Sequence, residues 1–100
     1  MRLAFTPLAE RDLEAIADYI AADNLARALS FVRELRAQCR RIALNPYGYR
    51  LRPELGDRIR SCAHGHYVIF FESDPDTVEI VRILHGARDL LAVFGTGPES

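Results

Sequence analysis

The spacing of apolar and polar positions changes rhythm along this chain, and each change marks an element. Residues 2–5 (Arg-Leu-Ala-Phe) read as a short strand. From Thr6-Pro7 the period turns helical. Leu13, Ile16, Ala17 and Ile20 fall at i, i+3, i+4 and i+7, which places them on one helix face. Thr6 can accept from the open N–H groups of the first turn. Pro7 suits that turn because its missing N–H would have had no partner there. Asp23-Asn24 stops this helix and can cap a second, running from about Leu25 to Leu44. Ala28, Phe31, Val32, Leu35, Cys39 and Ile42 trace its buried stripe. Pro46 disfavours helical geometry at Asn45 and ends it. The link is short, so the two helices form an antiparallel hairpin.

Residues 46–56 read as loop, punctuated by Pro46, Gly48, Pro53 and Gly56. Three strands are then expected. Arg58–Ala63 is the first, and His64-Gly65 makes a two-residue turn. His66–Glu72 is the second, apolar on both faces as a central strand would be. After a turn at Ser73–Asp76, Thr77–Leu84 is the third, rich in β-branched residues. A short helical turn through Phe94 and a flexible tail at residues 95–100 should follow, leaving residues 1–94 as one domain. The predicted class is α+β, in the order β-α-α-β-β-β. A helical hairpin is packed on one face of a small, mainly antiparallel sheet. The other face lacks a second layer and is a candidate partner surface, which Arg60 and Arg82 can reach by strand parity.

Composition narrows the function. At 100 residues, 49% apolar and 27% charged, the chain is one ordinary folded domain, too short for a two-domain dehydrogenase or a kinase. Apolar runs such as Tyr67–Phe71 are far below the ~20 residues of a membrane span. Glu10, Arg11, Asp12 and Glu14 exclude the apolar core of a signal peptide, so a cytoplasmic protein is expected. The net charge of −1 hides an asymmetry: residues 35–60 hold seven Arg against Glu54 and Asp57, a surplus of +5. All thirteen basic residues are Arg, whose planar fork suits carboxylates and phosphates. The basic stretch, with Arg33, Arg36 and Arg40 on the polar side of the second helix, can meet an acidic partner or nucleic acid. The plain alternative is a solvated, salt-bridged helix face.

Several chemistries fail on spacing. There is no CxxC, HExxH or EF-hand loop, so neither metal nor cofactor is expected, and no glycine-rich phosphate loop occurs. Two widely spaced cysteines, Cys39 and Cys62, fit packing roles. What remains is an arginine set with one histidine: Arg50, Arg52, Arg58, Arg60, Arg82, Arg88 and His85. Each has a plain reading beside the functional one. Arg82 could pair with Glu72 across strands, Arg88 with Asp89, and His85 could make a strand-end hydrogen bond. Tyr19 and Tyr67 read as core or core-edge aromatics.

Several pieces together resemble the RelE/ParE toxin superfamily of bacterial toxin–antitoxin systems, and ParE-like toxins most of all. They are Asp12-Leu13-Glu14-Ala15-Ile16-Ala17-Asp18-Tyr19-Ile20, Asn45-Pro46, Arg52-Pro53-Glu54-Leu55-Gly56, Arg60, Tyr67-Val68-Ile69-Phe70-Phe71, and above all residues 78–89 (Val-Glu-Ile-Val-Arg-Ile-Leu-His-Gly-Ala-Arg-Asp). The resemblance implies a type II toxin of the plasmid-stabilisation kind, silenced by a cognate ParD-like antitoxin. That antitoxin would have a ribbon-helix-helix N-terminus and an acidic, amphipathic C-terminal segment. Operator DNA would be bound only through it, as a hetero-oligomer. For the ParE branch the resemblance implies a non-enzymatic poison of DNA gyrase. For the RelE branch it implies a ribosome-dependent mRNA endoribonuclease, for which Arg58, Arg60 and Arg88 would be the catalytic candidates. Val68 after Tyr67, Phe94 near the C-terminus and the absence of Lys fit that chemistry poorly, since neither Val nor Phe can move a proton. A non-toxic antitoxin-binding relic is a third reading. Arg33, Arg36, Arg40, Arg60, Arg82, His85 and Arg88 are the candidate target- or antitoxin-binding residues.

Overall fold

Thr6 has two tasks at the start of the first helix. Its Oγ1 accepts from the Ala9 N–H (3.0 Å), capping the helix, and donates to the Val81 carbonyl (2.8 Å), fastening that helix to the last strand. The computed structural model describes residues 1–86 and Asp89. Its elements are β1 (Arg2–Phe5), α1 (Pro7–Ala21), α2 (Leu25–Leu44), β2 (Arg50–Leu51), β3 (Arg60–His64), β4 (Tyr67–Ser73) and β5 (Thr77–His85). The helices match the expected bounds because their signals are local. Asn24 Oδ1 caps α2 by accepting from the Arg27 N–H (3.0 Å), and α2 stops at Leu44, just before Asn45-Pro46.

The sheet order is β1-β5-β4-β3-β2. Only β1 runs parallel to its neighbour, β5; the other pairs are antiparallel. The sheet is therefore mixed, and the order β-α-α-β-β-β holds with one addition, the two-residue β2 inside the expected loop. A single 3₁₀ turn at Pro46–Gly48 precedes it. β3 is two residues shorter at its start than expected and ends at His64. His64 pairs with Tyr67, so the turn is Gly65-His66 rather than His64-Gly65. Gly65, at φ +60°, supplies the left-handed residue that this hairpin requires. The turn expected through Phe94 and the tail at 95–100 lie outside the described residues.

The main core lies between the helical hairpin and one sheet face. Leu13 and Ile16 of α1 and Phe31, Leu35, Cys39 and Ile42 of α2 meet Ile69, Phe71, Val78, Ile80 and Ile83. A bulge in β5 lets Ile83 join them. Phe70 opposes Arg82 while Phe71 opposes Ile80, leaving Val81 as the extra residue. Unbroken alternation would have aligned Arg82 and Leu84 with Val78 and Ile80. The bulge exchanges the faces, so Ile83 enters the main core and Leu84 goes to the other side.

That other face is better covered than expected. Leu55 and Ile59, from the segment before β3, pack on Phe70 and Leu84, and the Arg52 guanidinium lies 5.9 Å from the centre of the Phe70 ring. Neither Arg60 nor Arg82 extends over this face. Arg60 opposes Phe71, so it shares the helix side; it donates to the Tyr49 carbonyl (2.7 Å) and lies over the Tyr47 ring. Arg82 turns to the sheet edge and forks onto Asp12 of α1 (2.8 and 2.9 Å). Asp12, not Glu72, is its partner.

The same Asp12 carboxylate accepts from the Ile83 N–H (2.9 Å), and Asp89 accepts from the His85 N–H (2.9 Å). β1 ends at Phe5, opposite Ile80, so β5 would otherwise show open backbone beyond that point. Thr6, Asp12 and Asp89 take the place of the missing strand. The Arg82 and Asp12 side chains are only 20% and 12% exposed, so removing either strands the other with little water to compensate. The Arg27–Glu34 pair is far more exposed, so water and salt screen it and its loss strands neither partner.

Candidate functional site

The expected site residues fall in three places. On α2, Arg33 and Arg40 are exposed, while Arg36 is half-buried, bonded to Glu10 (3.1 Å) and stacked over Phe5 (5.3 Å). At the β2 end of the sheet, Arg58 and Arg60 border one open cavity of about 340 Å³ together with Tyr47, Leu51, Asp57 and Asp74. Here the basic residues are matched by acids, and Arg60 spends a donor on a carbonyl. Asp74 is held below the usual carboxylate range because the Asp76 and Thr77 N–H groups donate to it. Arg82 and His85 lie elsewhere, on β5. His85 pairs with Tyr67 and Arg60 with Phe71, four residues apart on β4, or about 13 Å. Arg88 lies outside the described residues.

The basic stretch is thus dispersed. Arg36 meets Glu10, Arg41 donates to Gln38 (2.6 Å), and Arg52 meets Glu54 (2.7 Å). Arg52 also holds the Glu54 carboxyl below its ordinary range. Arg82 is pushed further toward the charged state by its bonds to Asp12. The cysteines are packing residues in character. Burial pushes the Cys39 thiol up to about 12, and it raises Cys62 as well, whose Sγ accepts from Gln38 Nε2 (3.2 Å). Neither is poised as a nucleophile. Among the described residues no group of three or more His, Cys, Asp or Glu is placed to hold a metal ion, and no helix is long and apolar enough to cross a membrane.

At the opposite end of the sheet the structure gathers residues that the sequence scatters. All three histidines of the chain lie there with Phe31 of α2 and Tyr67 of β4. His85 stacks on His66 (6.1 Å between ring centres, 25° between planes) and meets the Tyr67 ring edge-on at 5.3 Å. Phe31 lies 5.6 Å from both His64 and Tyr67. Arg27 sits 5.0 Å over the Phe31 ring and is bonded to Glu34, which His64 also approaches (3.4 Å). Of these groups Arg27, Phe31, His66, Tyr67 and His85, together with Tyr19, Ile20 and Gly65, border a groove of about 530 Å³. Tyr67 is buried, as expected of a core aromatic. Tyr19 is 65% exposed and belongs to the groove rather than to the core. Tyr19, Phe31 and His66 were not legible as site residues, because each fits an ordinary helix or turn when read alone.

Comparison with known proteins agrees with this architecture. The family model described as ParE toxin of type II toxin-antitoxin system, parDE, matches residues 3–90. A solved structure described as the chromosomal ParDE TA system from P. aeruginosa superposes with a TM-score of 0.72 at 24% identity, covering 85% of this chain and 95% of that one. At that identity it speaks for the fold, α+β with two helices on a five-stranded sheet. No curated protein matches the chain. The match over residues 3–90 is nearly the whole chain, and the chain belongs to the ParE toxin family of parDE type II toxin–antitoxin systems.

Proposed function

We propose that this chain is the toxin of a ParDE pair that inhibits DNA gyrase in the bacterial cytoplasm, without catalysis of its own, and is silenced by a ParD-like antitoxin. The observation that carries this reading is the family match over residues 3–90. The disposition of the arginines supports the non-enzymatic part. Of the three ribonuclease candidates, Arg58 and Arg60 share a cavity with Asp57 and Asp74, and Arg60 is tied to a backbone carbonyl. In-line cleavage of RNA needs cations left available for a developing phosphorane and a proton carrier beside them. Val68 follows Tyr67 on the central strand and offers neither. The antitoxin would bind this toxin as a hetero-oligomer and carry the pair to operator DNA.

A gyrase assay tests the reading. Purified toxin is mixed with gyrase, ATP and supercoiled plasmid, and linear DNA is measured after detergent and protease. Toxin-dependent linear DNA, suppressed by antitoxin, is the expected result. Unchanged supercoiling with no linear DNA at large toxin excess sinks it. Cleavage of mRNA on ribosomes, lost in Arg58→Ala, would then establish the RelE-like alternative. If both assays are silent while antitoxin still raises the melting temperature, the chain is a non-toxic antitoxin-binding relic.

A further inference from the structure

The sheet has two outer edges, and the chain guards only one of them. The edge at β2 is two residues long, carries Arg50 and is soon followed by Pro53, all of which discourage a further strand. Beyond Ile80, where β1 ends, Thr6, Asp12 and Asp89 occupy the backbone groups of β5. The remaining edge is β1 itself, Arg2–Phe5. In its parallel ladder with β5 the Arg2 N–H donates to the Asp76 carbonyl and the Thr6 N–H to the Ile80 carbonyl, so by alternation the backbone groups of residues 2, 4 and 6 turn inward. Those of Leu3 and Phe5 turn outward, and among the described residues nothing bonds to them. No charge or proline interrupts Leu3-Ala4-Phe5, and the register with β5 is unbroken there, so no bulge twists the strand away.

The side chains divide as the ladder does. Leu3 and Phe5 pack against the main core on the helix side, with the Arg36 guanidinium 5.3 Å over the Phe5 ring. Arg2 and Ala4 lie on the other face, where Ala4 pairs with Glu79. A strand that satisfies this edge must be short, apolar on the helix side and uncharged where it meets Ala4. β1 meets each requirement itself. When two copies of β1 run antiparallel about a two-fold axis through Ala4, Leu3 of each faces the partner's Phe5, and their outward N–H and C=O groups satisfy one another. The apolar side chains of Leu3 and Phe5 then continue across the junction. Charge supports the same pairing. Arg2 and Glu79 are exposed and form no ion pair among the described residues. Across the axis, Arg2 shares a face with the partner's Glu79, separated from it by the small side chain of the partner's Ala4. We infer that β1 is a self-association edge, to which a second copy of this chain adds its own β1 antiparallel about Ala4. Two five-stranded sheets become one, with both helical hairpins on the same face. The pairing uses none of the residues that border the histidine-end groove, and it rests on no part of the function proposed above.

The test is sedimentation equilibrium of the purified chain alone, from dilute to concentrated samples, with circular dichroism to confirm that each variant folds. A reversible monomer–dimer equilibrium is expected. Ala4→Lys sets like charges face to face at the axis, while Glu79 of the same copy is placed to pair with the new ammonium, so the monomer is preserved. It is expected to raise the dimer dissociation constant at least tenfold. Leu29→Ala, at an exposed position of α2, is expected to stay within threefold of wild type. The register is read by cross-linking with glutathione disulfide in a Cys62→Ser background. Ala4→Cys is expected to link into a covalent dimer, because the two Cα atoms lie about 4.5 Å apart in a non-hydrogen-bonded pair. Arg2→Cys is expected not to link, because its two copies are four positions, or about 13 Å, apart along the strands. Hydrogen exchange at the Leu3 and Phe5 amides should slow as concentration rises. A chain that stays monomeric at every concentration overturns the proposal. So does a dimer whose dissociation constant Ala4→Lys leaves within threefold of wild type, or one that Arg2→Cys links as readily as Ala4→Cys. Leu3 and Phe5 amides that slow only when a ParD-type antitoxin is added overturn it too, and assign the edge to that partner instead.

Discussion

The two ends of the sheet are built on opposite plans. Residues 47–60 bring arginines that are close in sequence to one end, and there the fold engages Arg52 with Glu54, Ser61 and the Phe70 ring, and Arg60 with the Tyr49 carbonyl and the Tyr47 ring. The other end draws on Tyr19, Arg27, Phe31, His66, Tyr67 and His85, from four separate elements and a turn, and leaves a groove between them. A run of charge along a chain therefore need not become a patch on the surface. A cluster that no local pattern announces can be the better-formed site.

Side-chain truncation should separate the ends most sharply. Phe31 is buried at the histidine end, and Phe31→Ala is expected to lose about 3–5 kcal/mol, visible as a lowered urea midpoint. Tyr47, exposed at the arginine end, should lose less than about 1 kcal/mol as Tyr47→Ala, most of it the contact with Arg60. Equal losses at both sites would erase the distinction.

A second, smaller effect is expected where α1 joins the histidine end to β5. Asp12→Ala leaves the Arg82 guanidinium and the Ile83 N–H without their acceptor, and a loss of about 2–4 kcal/mol should follow. Glu10→Ala, which breaks the half-exposed bond to Arg36, should lose under about 1 kcal/mol. A double-mutant cycle of Asp12→Ala with Arg82→Ala that shows no coupling would remove the pair from the account.

Between the ends, Cys39 reports on the core that they share. Its folded thiol is held near 12 against an ordinary value of 9, so the unfolded chain ionises first as pH rises. The stabilising contribution is whole below pH 9 and is lost between pH 9 and 12, at up to ~1.4 kcal/mol per pH unit. Cys39→Ala should flatten that part of the stability–pH curve. The smallest effect is expected at exposed Arg58, where Arg58→Ala should change stability by no more than about 0.5 kcal/mol.

The helices were legible because Thr6, Pro7, Asn24 and Pro46 act within a turn of themselves. The sheet was legible in its strands but not in its arrangement. Arg50-Leu51 is too short to show alternation, and nothing in residues 2–5 says that they run parallel to β5. The β3–β4 turn falls one residue later than the sequence suggests because Gly65 serves either pairing, and only the register His64 to Tyr67 decides. The bulge at Val81 is settled by what β5 packs against on each face, which alternation cannot reveal. The same limit hid the groove. Burial of Tyr67 and exposure of Tyr19 depend on neighbours distant in sequence.

The seal along β5 also bears on how the molecule comes into being. Thr6 reaches Val81 and Asp12 reaches Arg82 across sequence separations of 75 and 70 residues, and β1 has β5 as its strand neighbour. Such distant closures come late, because most of the chain must first be ordered between them. During synthesis, the first twelve residues emerge long before their partners exist. The helical hairpin can form early from its local signals, but the groove cannot, since His85 belongs to β5. A nascent chain therefore acquires this groove only once β5 has been made.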